Sequence, residues 1–384
     1  MPIFGDLAKL FTNQGPVNWD VARQIGSYMA AEGESEGNVD PIERIKLEEL
    51  ARVAELHIAD FTGLATSVTG RAVSVRPVNR GEWASATLEA YRPLFERLAS
   101  SLGSTVQVPP ENLPDQPDIG GAIPEEMLGN LLGVMAPMIL GMQLGLMVGH
   151  LARRSLGQYD LPVPRPPADE LLVVAANLRE FGKDWSLPDD DLRLWVCLDS
   201  VVHHAVLGLP HIRSRLEELL HEYAGGFTPD PNSLSDRMAS IDPTDQSSWE
   251  SVLGDPDSFL GSMESDEQRR IKPRLEALTS TIEGYVDYTM DEVGGRLIGS
   301  YGQLAEALRR RRVQANKGDR FVERLFGLEL SQKQYDRGAA FVRGVVERNG
   351  REGLTRLWSG ERELPTPNEV EAPGLWWERI NLPH

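Results

Sequence analysis

Residues 189–207 read "DDDLRLWVCLDSVVHHAVL", and the reading of this stretch decides the fold. Its three acids follow Ser186 and Pro188, where negative charge suits the positive end of a helix dipole. Gly208 and Pro210 supply the stop. Between these signals Leu194, Trp195, Val196, Leu198, Val201, Val202 and Val206 leave little solvated face, so the spacing predicts a helix buried inside a larger helical body. Asp199 and His203 are four apart and project side by side, as do Ser200 and His204. A buried acid or imidazole needs a partner, because an unpaired charge inside is costly. Two readings of this turn stand open: a hydrogen-bonded core network, or half of a metal site.

Helical periodicity extends outward in both directions. Residues 17–32 and 41–59 repeat apolar positions at intervals of three and four, and Pro41 suits a first helical turn. The segment 72–78, "AVSVRPV", alternates weakly and reads as a short strand or an extended linker. Pro- and Gly-rich stretches at 102–125 and 157–169 read as connections through which no helix runs. Between Thr228 and Glu267 ten acids face one base, Arg237, a composition that favours a solvated loop. The C-terminal part returns to helical spacing with a Gly stop and ends in a Pro- and Trp-rich tail, read as an extended segment clasping the body. The expectation is a mainly α protein with few or no strands. It divides into a helical region 1–110, buried helices including the site helix over 111–227, an acidic insertion 228–267, and a helical region with tail over 268–384, all in one compact body.

Charge and cysteine content narrow the function classes. The 384 residues carry a net charge of −19, which repels a phosphate backbone and argues against nucleic-acid binding. The one dense basic run, "RRRR" at 309–312, reads as a solvated helix face. The single cysteine, Cys197, allows no internal disulfide and no Cys-rich zinc knuckle. The opening "MPIFGDLAKLF" lacks a basic region followed by an apolar core, so a cytoplasmic protein is expected. From Met127 to Ala152 there is no Asp, Glu, Lys or Arg. With Asn130, Pro137, Gln143 and His150 inside it and no second such span, the stretch reads as a buried helix, or a pair broken near Pro137, rather than a membrane span.

Several separated blocks carry a resemblance: "LGQYDLPVP", "LRLWVCLDSVVHH", "GLPHIRSRLEELL", "IEGYVDYTMDEVG", "LFGLELSQKQYDRGAAFVRGVVERNG" and "LWSGERELPTPNE". In this order they resemble the zincin-like metallopeptidase family of the second type, whose bacterial members are candidate hydrolases, some associated with biosynthesis of the deazaflavin redox cofactor. The resemblance implies a zincin-like helical fold with a buried site helix. It also implies a His-Glu-x-x-His motif, in which two histidines face one zinc ion and the Glu activates its water. Here Asp199 stands in place of the first His and Ser200 in place of the Glu, while His203 is the retained second His. A neutral serine hydroxyl is a poor base near pH 7, so no catalytic residue is assigned at Ser200. By the same resemblance Glu283 matches the acid of a Glu-Gly-His or Glu-Gly-Tyr segment, a third metal ligand, and Tyr285 stands where many relatives have His. Asp199, His203 and Glu283 are then the candidate metal ligands, with zinc the ion the family implies. Ser200, His204, Tyr285 and Asp287 are candidate pocket residues.

The functional expectation is a family member that has lost peptidase activity and acts as a binding or scaffold protein, with a peptide or protein partner. The alternative is an active hydrolase with an unusual Asp/His/Glu site, in which Asp287 could supply the base. His57 and His150 are further histidines that could approach the site. Ser200 with His204 lacks the strained turn and oxyanion donors that acyl transfer requires.

Overall fold

The structure is a computed structural model and describes residues 15–103, 125–227, 264–313, 323–328 and 331–382. The expectations for the N-terminal eleven residues, for most of the 102–125 linker and for most of the acidic insertion lie outside these residues.

In chain order the elements are α1 (Trp19–Ala30), α2 (Pro41–Thr62), β1 (Ser74–Val78), α3 (Arg80–Ala90), α4 (Arg92–Gly103), α5 (Glu125–Ala152), β2 (Glu170–Val174), α6 (Ala175–Asp184), α7 (Asp189–Leu207), α8 (Pro210–Gly225), α9 (Asp266–Leu297), α10 (Tyr301–Val313), α11 (Gln332–Leu357), α12 (Pro367–Glu371) and α13 (Pro373–Asn381). The protein is mainly α. Its two strands pair in parallel, Ser74 opposite Glu170 through Val78 opposite Val174. β1 falls within the weakly alternating segment 72–78. β2 has no alternation, since four of its five residues are buried, and such a run cannot be told from helix by period alone.

Helix α7 is buried as its sequence predicts, with α2, α8 and α9 packed around it. Its N-cap, Pro188, makes no side-chain cap bond. The first-turn acids work laterally instead. Asp191 accepts from the Ser300 backbone N–H and hydroxyl at 2.9 and 2.7 Å, and Arg193 donates to Glu43 at 2.7 and 3.0 Å.

Two helix crossings depend on missing side chains. Along α5, a Cβ at Gly141, Gly145 or Gly149 would lie 2.3 to 2.7 Å from the carbonyl oxygens of Asn18, Ala22 and Gly26 in and beside α1. The apolar stretch is one helix through Pro137, and its glycines serve a close helix–helix contact. Among the described residues no single helix is long and apolar enough to cross a membrane. Where α9 meets α11, a Cβ on Gly338 would stand 1.8 Å from the Ser280 carbonyl oxygen, and one on Gly284 would stand 2.3 Å from that of Gly338.

The tail departs from the extended expectation. Thr366 and Glu369 form a capping box, and Pro367 and Pro373 occupy first-turn positions, where proline starts a helix rather than preventing one. The resulting helices bury Trp376 edge-on against Phe341 at 5.8 Å. Gly350, at φ 61° and ψ −159°, interrupts α11, which is the glycine stop read from the sequence; the helix resumes beyond it.

Candidate functional site

Helix α7 presents two polar faces to two different places. Asp199 and His203 line a cavity of about 140 Å³, together with Glu283 of α9, Tyr335 of α11, Arg311 and Arg312 of α10, and Arg154, Tyr159 and Asp160 from the end of α5 and the loop after it. Ser200 and His204, one position further round the helix, face away from this cavity. Ser200 is buried, with its hydroxyl 3.3 Å from where a Cβ on Gly157 would sit.

His203 lines the cavity and is 4% exposed. Its Nδ1 lies 2.9 Å from the Asp199 carbonyl oxygen and 3.4 Å from the Asp199 carboxylate; its Nε2 lies 3.3 Å from Glu283 Oε1. Both ring nitrogens therefore face oxygens that accept. A neutral imidazole offers one N–H and one lone pair, so this setting favours the imidazolium, which donates from both. Burial opposes the charge, but the carboxylates of Asp199 and Glu283 outweigh it and hold the His203 pKa well above its ordinary value. Tyr159 stacks over the ring at 5.9 Å.

The same geometry tests the metal expectation. Asp199, His203 and Glu283 do meet, but the two carboxylates flank opposite nitrogens of one ring, so they cannot join His203 around a single ion in this arrangement. The His203 Nε2 and Glu283 Oε1 pair faces a cavity that also holds the Arg311 and Arg312 guanidinium groups. Among the described residues no group of three or more His, Cys, Asp or Glu side chains is placed to hold a metal ion. The donor set does not fit the zinc that the resemblance implies.

The second polar face of α7 is a closed network. Asp169 accepts from the Val68 and Thr69 backbone N–H groups at 2.8 and 3.0 Å and from the Ser67 and Thr69 hydroxyls. It also meets His204 Nε2 at 3.2 Å. Burial works against its charge, but these donors prevail and hold the carboxyl below the usual carboxylate range. Burial lowers the His204 pKa. A neutral His204 beside an ionised Asp169 must donate from Nε2, so its Nδ1 accepts the Tyr159 hydroxyl at 2.8 Å. This is the hydrogen-bonded core network that the sequence left open as one reading of the turn.

The remaining predicted residues divide. Tyr285 is buried edge-on against Trp358 at 5.1 Å and is not on the cavity wall. Asp287 binds Arg312 in a bidentate pair at 3.0 and 2.9 Å. Neither His57 nor His150 lines the cavity. The run 309–312 is only half a solvated face. Arg309 and Arg310 pair with Glu306 at the surface, whereas Arg311 and Arg312 turn inward, Arg312 lying 4.0 Å over the Tyr335 ring. Tyr159, Asp160 and Tyr335 are cavity residues that the sequence reading did not single out, although Tyr159, Asp160 and Tyr335 fall within the quoted blocks.

With the geometry in hand, three comparisons place the chain among known proteins. A model of the zincin-like metallopeptidase family matches residues 17–377. Among solved structures, the crystal structure of a candidate hydrolase with a novel fold from Chloroflexus aurantiacus is similar at 25% identity with a TM-score of 0.65, over 96% of this chain and 100% of that one. No curated protein matches.

Proposed function

We propose that this chain, which belongs to the zincin-like metallopeptidase family, no longer performs metal-dependent peptide hydrolysis and uses the cavity beside His203 as a binding pocket. The observation that carries the reading is the placement of Asp199 and Glu283 at opposite nitrogens of His203. A metallopeptidase needs imidazole lone pairs and a carboxylate converging on one ion, with a base beside the water it activates. Here the imidazole nitrogens are turned to oxygen acceptors. The position of the motif's base is a serine packed toward Gly157, and Asp287 is committed to Arg312.

What this chain's own residues do in such a pocket follows from their partners. Asp199 and Glu283 fix the orientation of His203, and Tyr159 covers its ring. The Arg312–Asp287 pair holds the wall between α9 and α10. The test is a metal analysis of the purified full chain with a peptidase assay before and after zinc addition. The reading expects no stoichiometric zinc and no turnover. One zinc per chain with turnover abolished in His203→Ala would overturn it.

A further inference from the structure

The cavity is lined by acceptors and donors together, and on Glu283, Tyr335 and Arg311 part of that capacity is not taken up by the described residues. Among the acceptors, Glu283 is 6% exposed, and only its Oε1 is engaged, by His203. Among the described residues its second oxygen has no hydrogen-bond partner. The Asp199 carboxylate reaches only His203 Nδ1, at 3.4 Å, a nitrogen already bonded to the Asp199 carbonyl. Tyr335 is 9% exposed and lines the same space, and its hydroxyl likewise has no hydrogen-bond partner among the described residues. Burial raises its pKa, and the Glu283 charge adds to this, so it stays a neutral hydroxyl. Acceptor oxygens that face one enclosed space are costly to leave unpaired; the Glu283 and Tyr335 oxygens, with the half-buried Asp199 carboxylate beside them, point to a ligand that satisfies them.

Arg154 and Arg311 line the same cavity. Arg311 uses one terminal nitrogen, Nη2, for Asp160 at 2.7 Å and for the Arg154 carbonyl. Its planar fork still has donors for an oxyanion. Trp195 adds apolar surface to the lining.

We infer that the cavity takes a small zwitterion, its primary ammonium held by Glu283, Asp199 and the Tyr335 hydroxyl, and its carboxylate or similar oxyanion held by Arg311 within the field of Arg154. An ammonium brings three donors and no acceptor, which is the complement of these acceptors. The inference rests on the pocket being a binding site, as proposed above, and adds the class of molecule bound.

Isothermal titration of the full chain tests it with five probes: norleucine, its isomer with the amine on the terminal carbon, hexylamine, hexanoate and hexanediamine. At least one zwitterion is expected to bind, with hexylamine, hexanoate and the diamine weaker by roughly tenfold or more, the loss expected when a charge-assisted pair goes unmade. Glu283→Gln keeps the shape and removes the charge, and should weaken zwitterion binding by a similar factor. Tyr335→Phe removes only the hydroxyl and should weaken it severalfold. Absence of heat from every probe would overturn the inference. So would an amine or acid alone binding as tightly as the zwitterions, or unchanged affinity in both variants. Zinc content and peptide turnover measured on the same preparation report on the proposed function separately: turnover would sink that reading whatever the heats, and missing heats without turnover would sink only the ligand class.

Discussion

Asp199 and Glu283 favour the protonated form of His203 in the folded chain. An unfolded histidine titrates near 6.5, and the folded His203 is held well above that value. Its contribution to stability is therefore fully present below pH 6.5 and is lost as the pH rises from about 6.5 through the folded value. Stability should fall over that range by at most about 1.4 kcal/mol per pH unit from this group, and His203→Gln should flatten the slope. Denaturant midpoints at a series of pH values read this directly; equal slopes in both proteins would contradict it. Asp169 acts in the opposite sense, since its carboxylate is favoured by folding. Its contribution is present above the ordinary carboxylate pKa and is lost as acid protonates it. Asp169→Ala strands the Val68 and Thr69 N–H groups and His204 Nε2, and should cost about 3 kcal/mol in urea unfolding at neutral pH. At this scale the sequence was partly legible. Spacing of four paired Asp199 with His203, and the resemblance supplied Glu283. Arg311, Arg312 and Tyr335 were not, because their inward aim is set by how α10 and α11 lie against α9.

Between elements, the contact that positions the site is the α9–α11 crossing. Glu283 adjoins Gly284, and Tyr335 lies three residues before Gly338, so the close approach of these glycines brings the acid and the phenol to one cavity. Gly338→Ala places a methyl 1.8 Å from a backbone oxygen that cannot rotate aside. It should cost about 3 kcal/mol or more. Gly302→Ala, in α10 with nothing within 4 Å of the added Cβ, is the control and should be neutral or slightly stabilising. Thermal melts of the two variants compare them; equal melting temperatures would refute the argument. Helix periodicity made α1, α2 and α7 legible in advance. It could not separate β2 from buried helix, nor see that prolines 367 and 373 begin helices, since both depend on what the segment packs against or caps.

For the whole molecule, the family assignment and the mainly helical fold were readable from blocks in a fixed order. The departures at the motif were readable as substitutions, and the structure adds where Asp199 and Ser200 lie. The two faces of α7 serve different surroundings, Asp199 and His203 the cavity and His204 the Asp169 network. Asp199→His with Ser200→Glu should therefore fail to restore zinc binding, because the new Glu enters the tight space beside Gly157 and the cavity keeps its arginines. Equilibrium dialysis against zinc checks this, and one tightly bound ion would show that the old geometry persists. The central claim is that His203 holds a proton where the family motif holds a metal. Nitrogen-detected NMR of the His203 ring at neutral pH tests it most directly. The account predicts an imidazolium with both ring nitrogens protonated, in the presence or absence of added zinc. A neutral ring whose Nε2 signal shifts on stoichiometric zinc addition would contradict it.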